Sequence, residues 1–491
     1  MSIREQIGTN LLADLSSNLT QTIVALVAIE AVYLAVLVGW IVMQKRPPAA
    51  TLAWIFGLAL LPVLGFAIYY FFGPRRISKT RMRRLRARNW MAEALDMRAA
   101  NINSHYANIP PHLLPLARLG TLVSEMPVAA CRQVRLLIDG TQTFEALLAA
   151  IRSAKHHIHL EYYIFHPDVL GRQFIEALTE RAKAGVKVRL LLDAVGSSRI
   201  RRRHIGPLKK AGGKVAFFHK VRLFSFKPRI NFRTHRKLVV VDGHTGFFGG
   251  INIAQAEDER LSHKAYRDTH IQLVGSAVRW LQTVFLEDWN YATGNTEVEA
   301  EHFPPHPQAQ PHLVQIVPSG PDLRFKAIRD VYFSAISTAK NRIWISTPYF
   351  VPDEAMLTAL TNAALRGVDV RILVPKRSDS WVVTLASRSY YNELSLAGVR
   401  LFEYLPRLFH AKTLLVDDAL SVLGTANMDV RSFELNFEIS AIFYGEKMAQ
   451  SLTKCFLEDL ESSVALPRFR GKHPFGQRFL ESFMRLLSPL L

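Results

Sequence analysis

Two long apolar runs open the chain and give way to short segments in which apolar and polar positions alternate. Positions 22–43 carry a single charge, Glu30, and positions 49–72 carry none. At ~1.5 Å per residue the first run reaches about 33 Å as a helix, enough to cross a hydrocarbon core. Glu30 costs roughly 2.5–3.5 kcal/mol at mid-membrane, which the Val, Ile and Leu around it offset at about 0.3–0.6 kcal/mol each. Pro62 and Gly65 lie in the second run, where membrane helices tolerate them. The pattern predicts a two-helix transmembrane hairpin, about 22–43 and 49–72, with its turn at KRPP, 45–48. A secretory signal peptide does not fit, because no basic segment leads the first run and a second run follows it.

From about residue 110 the pattern is that of an α/β body. Alternating or wholly apolar segments predict strands at 134–138, 157–165 and 186–194, and helical spacing predicts helices at 144–154 and 174–185. Residues 292–312 are polar and proline-rich, which marks a linker, and beyond it the pattern starts again. AIRSAKHHIHLEYYIFHPD at 150–168 aligns with AISTAKNRIWISTPYFVPD at 335–353, and RAKAGVKVRLLLD at 181–193 with AALRGVDVRILVP at 363–375. Such self-similarity predicts two copies of one α/β unit. The expected organisation is a membrane hairpin over 1–73, a basic juxtamembrane linker over 74–109, a first α/β domain over 110–295, a linker over 296–312, and a second α/β domain over 313–491 ending in an amphipathic tail.

Charge narrows the partner. The 491 residues hold 61 Lys and Arg against 41 Asp and Glu, a net +20, which points to something anionic. PRRISKTRMRRLRAR at 74–88 carries eight basic residues and no acid. By the positive-inside rule it places both ends of the hairpin, and the α/β body, in the cytoplasm, with the run lying against anionic head groups. That position favours lipid over nucleic acid, also for the basic and aromatic stretch 219–237. The two cysteines, Cys131 and Cys455, stand far apart and in no C-x2-C pair, which excludes a disulfide framework and a structural zinc site.

Candidate chemistry sits at the end of each repeat. HRKLVVVD at 235–242 and HAKTLLVD at 410–417 share H-x-K-x4-D spacing and lie 175 residues apart. On a strand, His235 and Lys237 point to one face, as do His410 and Lys412. The turns that follow bring Gly249 and Asn252, and Gly424 and Asn427; small residues let a ligand come close, and the amides can donate to it. Imidazole, ammonium and amide from two copies make a phosphate-sized site. Asp242 and Asp417 fall on the strand face opposite the lysines, so their expected task is to hold the turn. Charged residues entering apolar strands need partners. Asp268 in YRDTHIQL and Glu438 in LNFEISAI hold matching places in the two repeats and are expected to orient the histidines, Asp268 for His235 and Glu438 for His410. Tyr162 and Tyr349, near the ends of matching strands, are expected to border the site. His157 and His159 share a strand face without a second pair nearby and read as packed histidines, not metal ligands. The tail 479–491 has apolar residues at helical spacing, which fits an interfacial helix or a packing helix.

The duplicated motif resembles that of the phospholipase D superfamily, whose signature is similar to H-x-K-x4-D-x6-G-S-x-N; Gly250 and Thr425 stand where that pattern has serine. With the hairpin, LEYYIF, STPYFVPD, YRDTH and the ending FMRLLSPLL, nearly the whole chain resembles the bacterial cardiolipin synthases. The resemblance implies two phospholipase D-like α/β domains forming a pseudo-twofold sandwich with a shared active site. It also implies a location in the bacterial inner membrane, phosphatidylglycerol and anionic lipids as partners with no nucleic acid, and no cofactor or metal. It assigns the nucleophile to His235 and acid–base work to His410; the residues alone do not separate the two. In this chemistry one imidazole attacks phosphorus, a second protonates the leaving alkoxide, and lysines neutralise the phosphodiester. Three functions fit: phosphatidyl transfer yielding cardiolipin and glycerol, hydrolysis as a lipase or nuclease, and a non-catalytic lipid scaffold. The duplicated motif weighs against the scaffold and the hairpin against the nuclease, while the acceptor and the oligomeric state stay open.

Overall fold

The computed structural model describes residues 3–44, 48–61, 64–65, 68–69, 106–219, 232–307, 311–467 and 474–488. They fall into two units divided near residue 75. In the first, a 40-residue helix covers Ile3–Val42, and its part Asn18–Val42, mean hydropathy 2.4, is long and apolar enough to cross a membrane. Leu19, Ile23, Val36 and Trp40 along it are exposed, the pattern of a lipid-facing helix. A second apolar helix covers Pro48–Leu60, shorter than the run 49–72 from which a full span is expected. Positions 62–63, 66–67 and 70–72 of that run, and the basic stretch 74–88, lie outside the described residues. Within this unit Gln44 Nε2 donates to the Tyr69 hydroxyl at 3.0 Å, and Trp54 meets the Tyr69 ring edge-on at 5.0 Å.

The α/β unit is built twice. Its first half holds β1 (Ala129–Ile138), β2 (His157–Tyr162), β3 (Lys187–Asp193), β4 (Lys214–Phe218), β5 (Lys237–Val241), β6 (Thr245–Gly249) and β7 (Thr269–Gly275). The second holds β8 (His312–Ser319), β9 (Arg342–Ser346), β10 (Phe350–Val351), β11 (Asp369–Pro375), β12 (Arg400–Tyr404), β13 (Thr413–Val416), β14 (Leu420–Gly424), β15 (Met428–Asp429), β16 (Glu438–Tyr444) and β17 (Ser463–Ala465). The order is β4-β3-β2-β5-β6-β7-β1 in one half and β8-β16-β14-β13-β9-β11-β12-β17 in the other, each the mirror of its partner apart from the added edge strand. β1 and β8 pair antiparallel, Ala129 opposite Val314 and Cys131 opposite His312, so the halves share one 15-stranded sheet with a pseudo-twofold at that seam. β10 and β15 form a separate two-stranded ladder.

The repeated sequence explains the repeated local structure. Asp168 and Asp353, the last residues of HPD and VPD, cap the helices Val169–Lys183 and Glu354–Leu365 by accepting from Gly171 N at 3.0 Å and Met356 N at 2.9 Å. These helices carry the chain from β2 to β3 and from β9 to β11, the crossover that parallel neighbours require. One sheet face is covered by such helices in each half, around Phe144 and Phe174 in the first and Ile328 and Leu360 in the second. On the other face, helices Val278–Thr293 and Glu446–Glu461 share a core that runs across both halves, with Phe285, Trp344, Phe443 and Phe456 in it. Past Gly294, the expected linker is pinned to the first half: Glu297 and Glu299 pair with Arg189, Lys214 and Lys187 at 2.9, 3.3 and 2.5 Å. His157 and His159 are buried and pack with His302 of that linker, ring centroids 4.7–5.0 Å apart, while Gln282 bonds both.

Candidate active site

Short segments that cross between the halves deliver the two motifs. His235 N–H donates to the Phe437 carbonyl at 2.8 Å, and Phe437 N–H to the Arg233 carbonyl at 2.8 Å. The twin arrangement joins His410 N–H to the Arg267 carbonyl at 2.7 Å and Arg267 N–H to the Leu408 carbonyl at 2.9 Å. Each histidine therefore sits beside the residue that precedes the carboxylate of the opposite half. His235 Nδ1 lies 3.0 Å from Glu438 Oε2, and His410 Nδ1 lies 2.6 Å from Asp268 Oδ2. This reverses the pairing expected from aligning the repeats, Asp268 with His235 and Glu438 with His410. Within one half β6 stands between β5 and β7, so a histidine before β5 and a carboxylate before β7 are two strand spacings, about 10 Å, apart. The crossing segments make the other half's carboxylate the near one.

Both lysines are buried. Lys237 Nζ donates to the His235 carbonyl at 2.7 Å; Lys412 Nζ donates to the His410 carbonyl and lies 2.9 Å from His410 Nδ1 and 3.7 Å from Asp268 Oδ2. Aromatic rings flank each histidine, Tyr163 at 5.1 Å from His235 and Tyr266 at 5.6 Å from His410. The two tyrosines expected to border the site stand just behind these rings. Tyr162 is fully buried in β2 opposite Lys237, within reach of the Glu257 charge, and Tyr349 donates its hydroxyl to Asp379 at 2.6 Å, within reach of Asp429 and Tyr266.

The glycines and amides divide the work differently from the expectation. A Cβ on Gly249, whose φ is 157°, would lie 2.6 Å from His270 Cα, and one on Gly424 would lie 2.3 Å from Ser440 Oγ. These residues allow the close approach of β6 to β7 and of β14 to β16. Asn252 Nδ2 donates to Glu257 Oε1 at 2.9 Å, and Asn427 Nδ2 donates to Asp429 Oδ2 at 3.1 Å. Each amide is thus oriented by a carboxyl through one hydrogen, leaving a second for a ligand. At the two serine positions of the motif, the Thr425 hydroxyl donates to Glu438 Oε2 at 2.5 Å, while Gly250 leaves room for Asp268. Asp242 accepts from Lys155 N, His156 N and His157 N at 2.8, 2.8 and 2.9 Å, and Asp417 accepts from Lys340 N, Asn341 N and Arg342 N at 3.1, 2.7 and 3.1 Å. Both hold the turn after the motif strand to the start of the neighbouring one.

Charge in this enclosure is tightly balanced. Burial, helped by the lysines, pulls His235 down to about 4 against the pull of Glu438, and moves His410 downward as well. Burial draws Lys237 down to about 7, with Lys412 adding to it. Asp268 and Glu438 are also buried, yet Lys412 with His410, and His235 with Lys237, hold them below the ordinary carboxylate range. Glu257 goes the other way, up to about 8, through burial and its neighbour Asp268. Sequence reasoning missed Glu257: it stands five residues past Asn252, whereas its counterpart Asp429 stands two past Asn427, so no repeat alignment pairs them. Glu257, Asp268 and His410 offer three ligand-type atoms within 4.8 Å of one another. Asp268 and His410 are already bonded to each other, and the Lys412 ammonium faces the same carboxylate, so the set reads as an acid–base cluster.

Comparison with known proteins matches residues 147–277 and 332–460 to the family described as "Cardiolipin synthase, PLD-like domain", and residues 31–74 to "Phospholipase D-nuclease N-terminal". The cardiolipin synthase of Geobacillus kaustophilus is 41% identical over 477 residues, 95% of this chain and 93% of the relative. That of Halalkalibacterium halodurans is 40% identical over 478 residues, again 95% and 93%. Among solved structures, phosphatidylserine synthase of Haemophilus influenzae superposes with a TM-score of 0.58 at 15% identity, covering 77% of this chain and all of that one, a likeness of fold.

Proposed function

The chain belongs to the cardiolipin synthase family of phospholipase D-like proteins, and from that premise we propose that it is a membrane-bound phosphatidyltransferase joining two phosphatidylglycerol molecules into cardiolipin and glycerol. The observation that carries the reading is the pair of histidines, each bonded through Nδ1 to a buried carboxylate of the opposite half, with both lysines in the same enclosure. An Nδ1–H held by a carboxylate fixes the tautomer and leaves Nε2 as the free nitrogen of each ring.

His235, held neutral, attacks the phosphorus of the first phosphatidylglycerol through Nε2, forming an N–P bond as the P–O bond to glycerol breaks. His410 gives its proton to the departing alkoxide, and glycerol leaves. The anionic phosphodiester between the lysines supplies the counter-charge that lets His410 carry that proton, while Asp268 stabilises the imidazolium. A second phosphatidylglycerol then enters, His410 takes the proton of its terminal hydroxyl, and the alkoxide attacks phosphorus. Cardiolipin forms, His235 is released, and His410 is again protonated. Lys237, Lys412 and the second amide hydrogens of Asn252 and Asn427 meet the charge on the non-bridging oxygens, which supplies the electrostatic part of the catalysis.

The N-terminal helices anchor the chain, and the basic stretch 74–88 supports a multi-pass arrangement in the bacterial inner membrane with the α/β body in the cytoplasm. The test is to incubate the purified protein with head-group- and acyl-labelled phosphatidylglycerol, with and without chelator. Cardiolipin and free glycerol in equal amounts are expected. Phosphatidic acid in place of cardiolipin would mean a hydrolase, and loss of turnover with chelator would sink the metal-free steps. His410→Ala is expected to stop turnover yet leave phosphatidyl label on His235 when the donor carries an activated leaving group; label on His410 in the unaltered protein reverses the assignment.

A further inference from the structure

The helix Phe475–Arg485 is packed inside out. A helix on the surface of a water-soluble body turns its apolar stripe inward and its charges outward. Here Phe475, Phe479, Phe483 and Leu486 are 49–81% exposed along one face, the three rings stacked at 6.2 and 6.4 Å, while the helix's one acid, Glu481, is buried and accepts from Gln477 at 3.0 Å. Met484 enters the core on the packed side, and Arg485 reaches Glu393 at 3.7 Å and lies over the Tyr390 ring at 4.3 Å. The helix is therefore fixed to the body, and its exposed aromatic face is held in place.

We propose that this face seats the α/β body on an anionic lipid surface, with the edge of the active site turned toward the bilayer. Three observations select lipid as the occupant. The exposed face is bordered by Arg478 and Arg485 and by no acid of its own helix, a charge pattern complementary to anionic head groups. The helix packs on Trp381–Arg388, whose first residue, Trp381, is 64% exposed, and the loop just before it exposes Lys376 and Arg377. That loop carries Asp379, which holds the Tyr349 hydroxyl and whose charge is felt by Lys412 and Tyr266 at the site. The patch and the site thus share an edge. The proposal rests on the reading of the substrate as a diacyl lipid, since such a substrate needs its acyl chains left in the bilayer while its head group enters a buried enclosure.

The test places an environment-sensitive fluorophore on Phe479→Cys in the full chain, the native Cys131 and Cys455 being buried and slow to label. In nanodiscs containing phosphatidylglycerol, blue-shifted emission and quenching by lipids spin-labelled near the head group are expected. Emission typical of water, unquenched, overturns the proposal, and this readout does not depend on whether cardiolipin is the product. A second variant, Phe479→Ser with Phe483→Ser, removes exposed rings and no fully buried side chain. Its ratio of turnover on bilayer phosphatidylglycerol to turnover on a short-chain monomeric analogue is expected to fall about tenfold. An unchanged ratio also overturns the proposal.

Discussion

At position 250 a side chain would have to displace the carboxylate that holds His410. A Cβ there lies 2.1 Å from Asp268 Oδ1, and that carboxylate cannot swing away freely, because it holds His410 at 2.6 Å and accepts from Thr269 N at 2.7 Å. Gly250→Ala should therefore lower kcat per folded molecule by about 10²-fold, the scale of a misplacement near 1 Å, and cost about 1–3 kcal/mol of stability through overpacking. Wild-type turnover in this variant would show that the carboxylate is not constrained as described. Glu257 and Lys237 set the alkaline side of the pH profile. Raising pH removes the proton of Lys237 near 7 and that of Glu257 near 8, so positive charge is lost and negative charge gained where a phosphodiester must bind. kcat/KM, which reports the free enzyme, should fall above about pH 7 with a limiting slope steeper than one proton. Glu257→Gln cannot ionise and should reduce that slope by one proton; an identical alkaline limb in the variant would remove Glu257 from the account. His235, held down to about 4, stays neutral across this range, as its proposed attack requires. At this scale the sequence was legible for residues that occur in both repeats at one spacing. Glu257, Tyr163 and Tyr266 were not, because each acts in one half with no twin in register, and a singleton acid or tyrosine carries no signal above background.

Elements were read well wherever periodicity alone decides them. The strands expected at 157–165 and 186–194 are β2 and β3, and the turn role expected of Asp242 and Asp417 follows from their side of the strand. Both aspartates adopt left-handed backbone, φ 53° and 51°, which Asp and Asn tolerate better than most residues. Asp242→Asn should keep that backbone but weaken the three N–H bonds it accepts, at a cost of about 1–3 kcal/mol. A lowered thermal midpoint with unchanged kcat per folded molecule is the expected result; loss of kcat at full stability would give Asp242 a direct chemical part. The cross-half pairing was beyond periodicity. Register inside a repeat says which residues are equivalent and is silent on whether equivalent residues meet within one copy or between two. That depends on β6 separating β5 from β7, a matter of sheet order.

For the whole molecule, cross-pairing makes the kinetic phenotypes of the two carboxylates predictable. Glu438 touches His235, the proposed nucleophile, and Asp268 touches His410, the proposed acid–base group. Glu438→Gln should slow the appearance of phosphatidyl label on the protein, whereas Asp268→Asn should let label form from an activated donor and slow its transfer to the second alcohol. Single-turnover labelling separates the two steps, and the reverse pattern would restore the within-repeat pairing. Buried links keep the halves from drifting: Arg236, between His235 and Lys237, bonds the Glu438 carbonyl at 3.0 Å and Asp288, and Arg267 bonds Asp459 at 2.7 Å. Movement of one half against the other breaks both histidine pairs together.

The seam between β1 and β8 has a further consequence. A single copy of the repeat would carry a histidine and a lysine with no carboxylate beside the ring, and its sheet would end at an unpaired β1 edge. Two such copies joined edge to edge about a twofold axis would cover both edges and supply each histidine from its neighbour, which is the geometry of a closed, isologous dimer. This chain is that dimer written as one polypeptide. Once fused, the copies are free to diverge, and the divergence is visible: a threonine hydroxyl steadies one carboxylate where a glycine makes way for the other. Two half-sites of one design can in this way be tuned separately, as the proposed division between an attacking and a proton-carrying histidine requires.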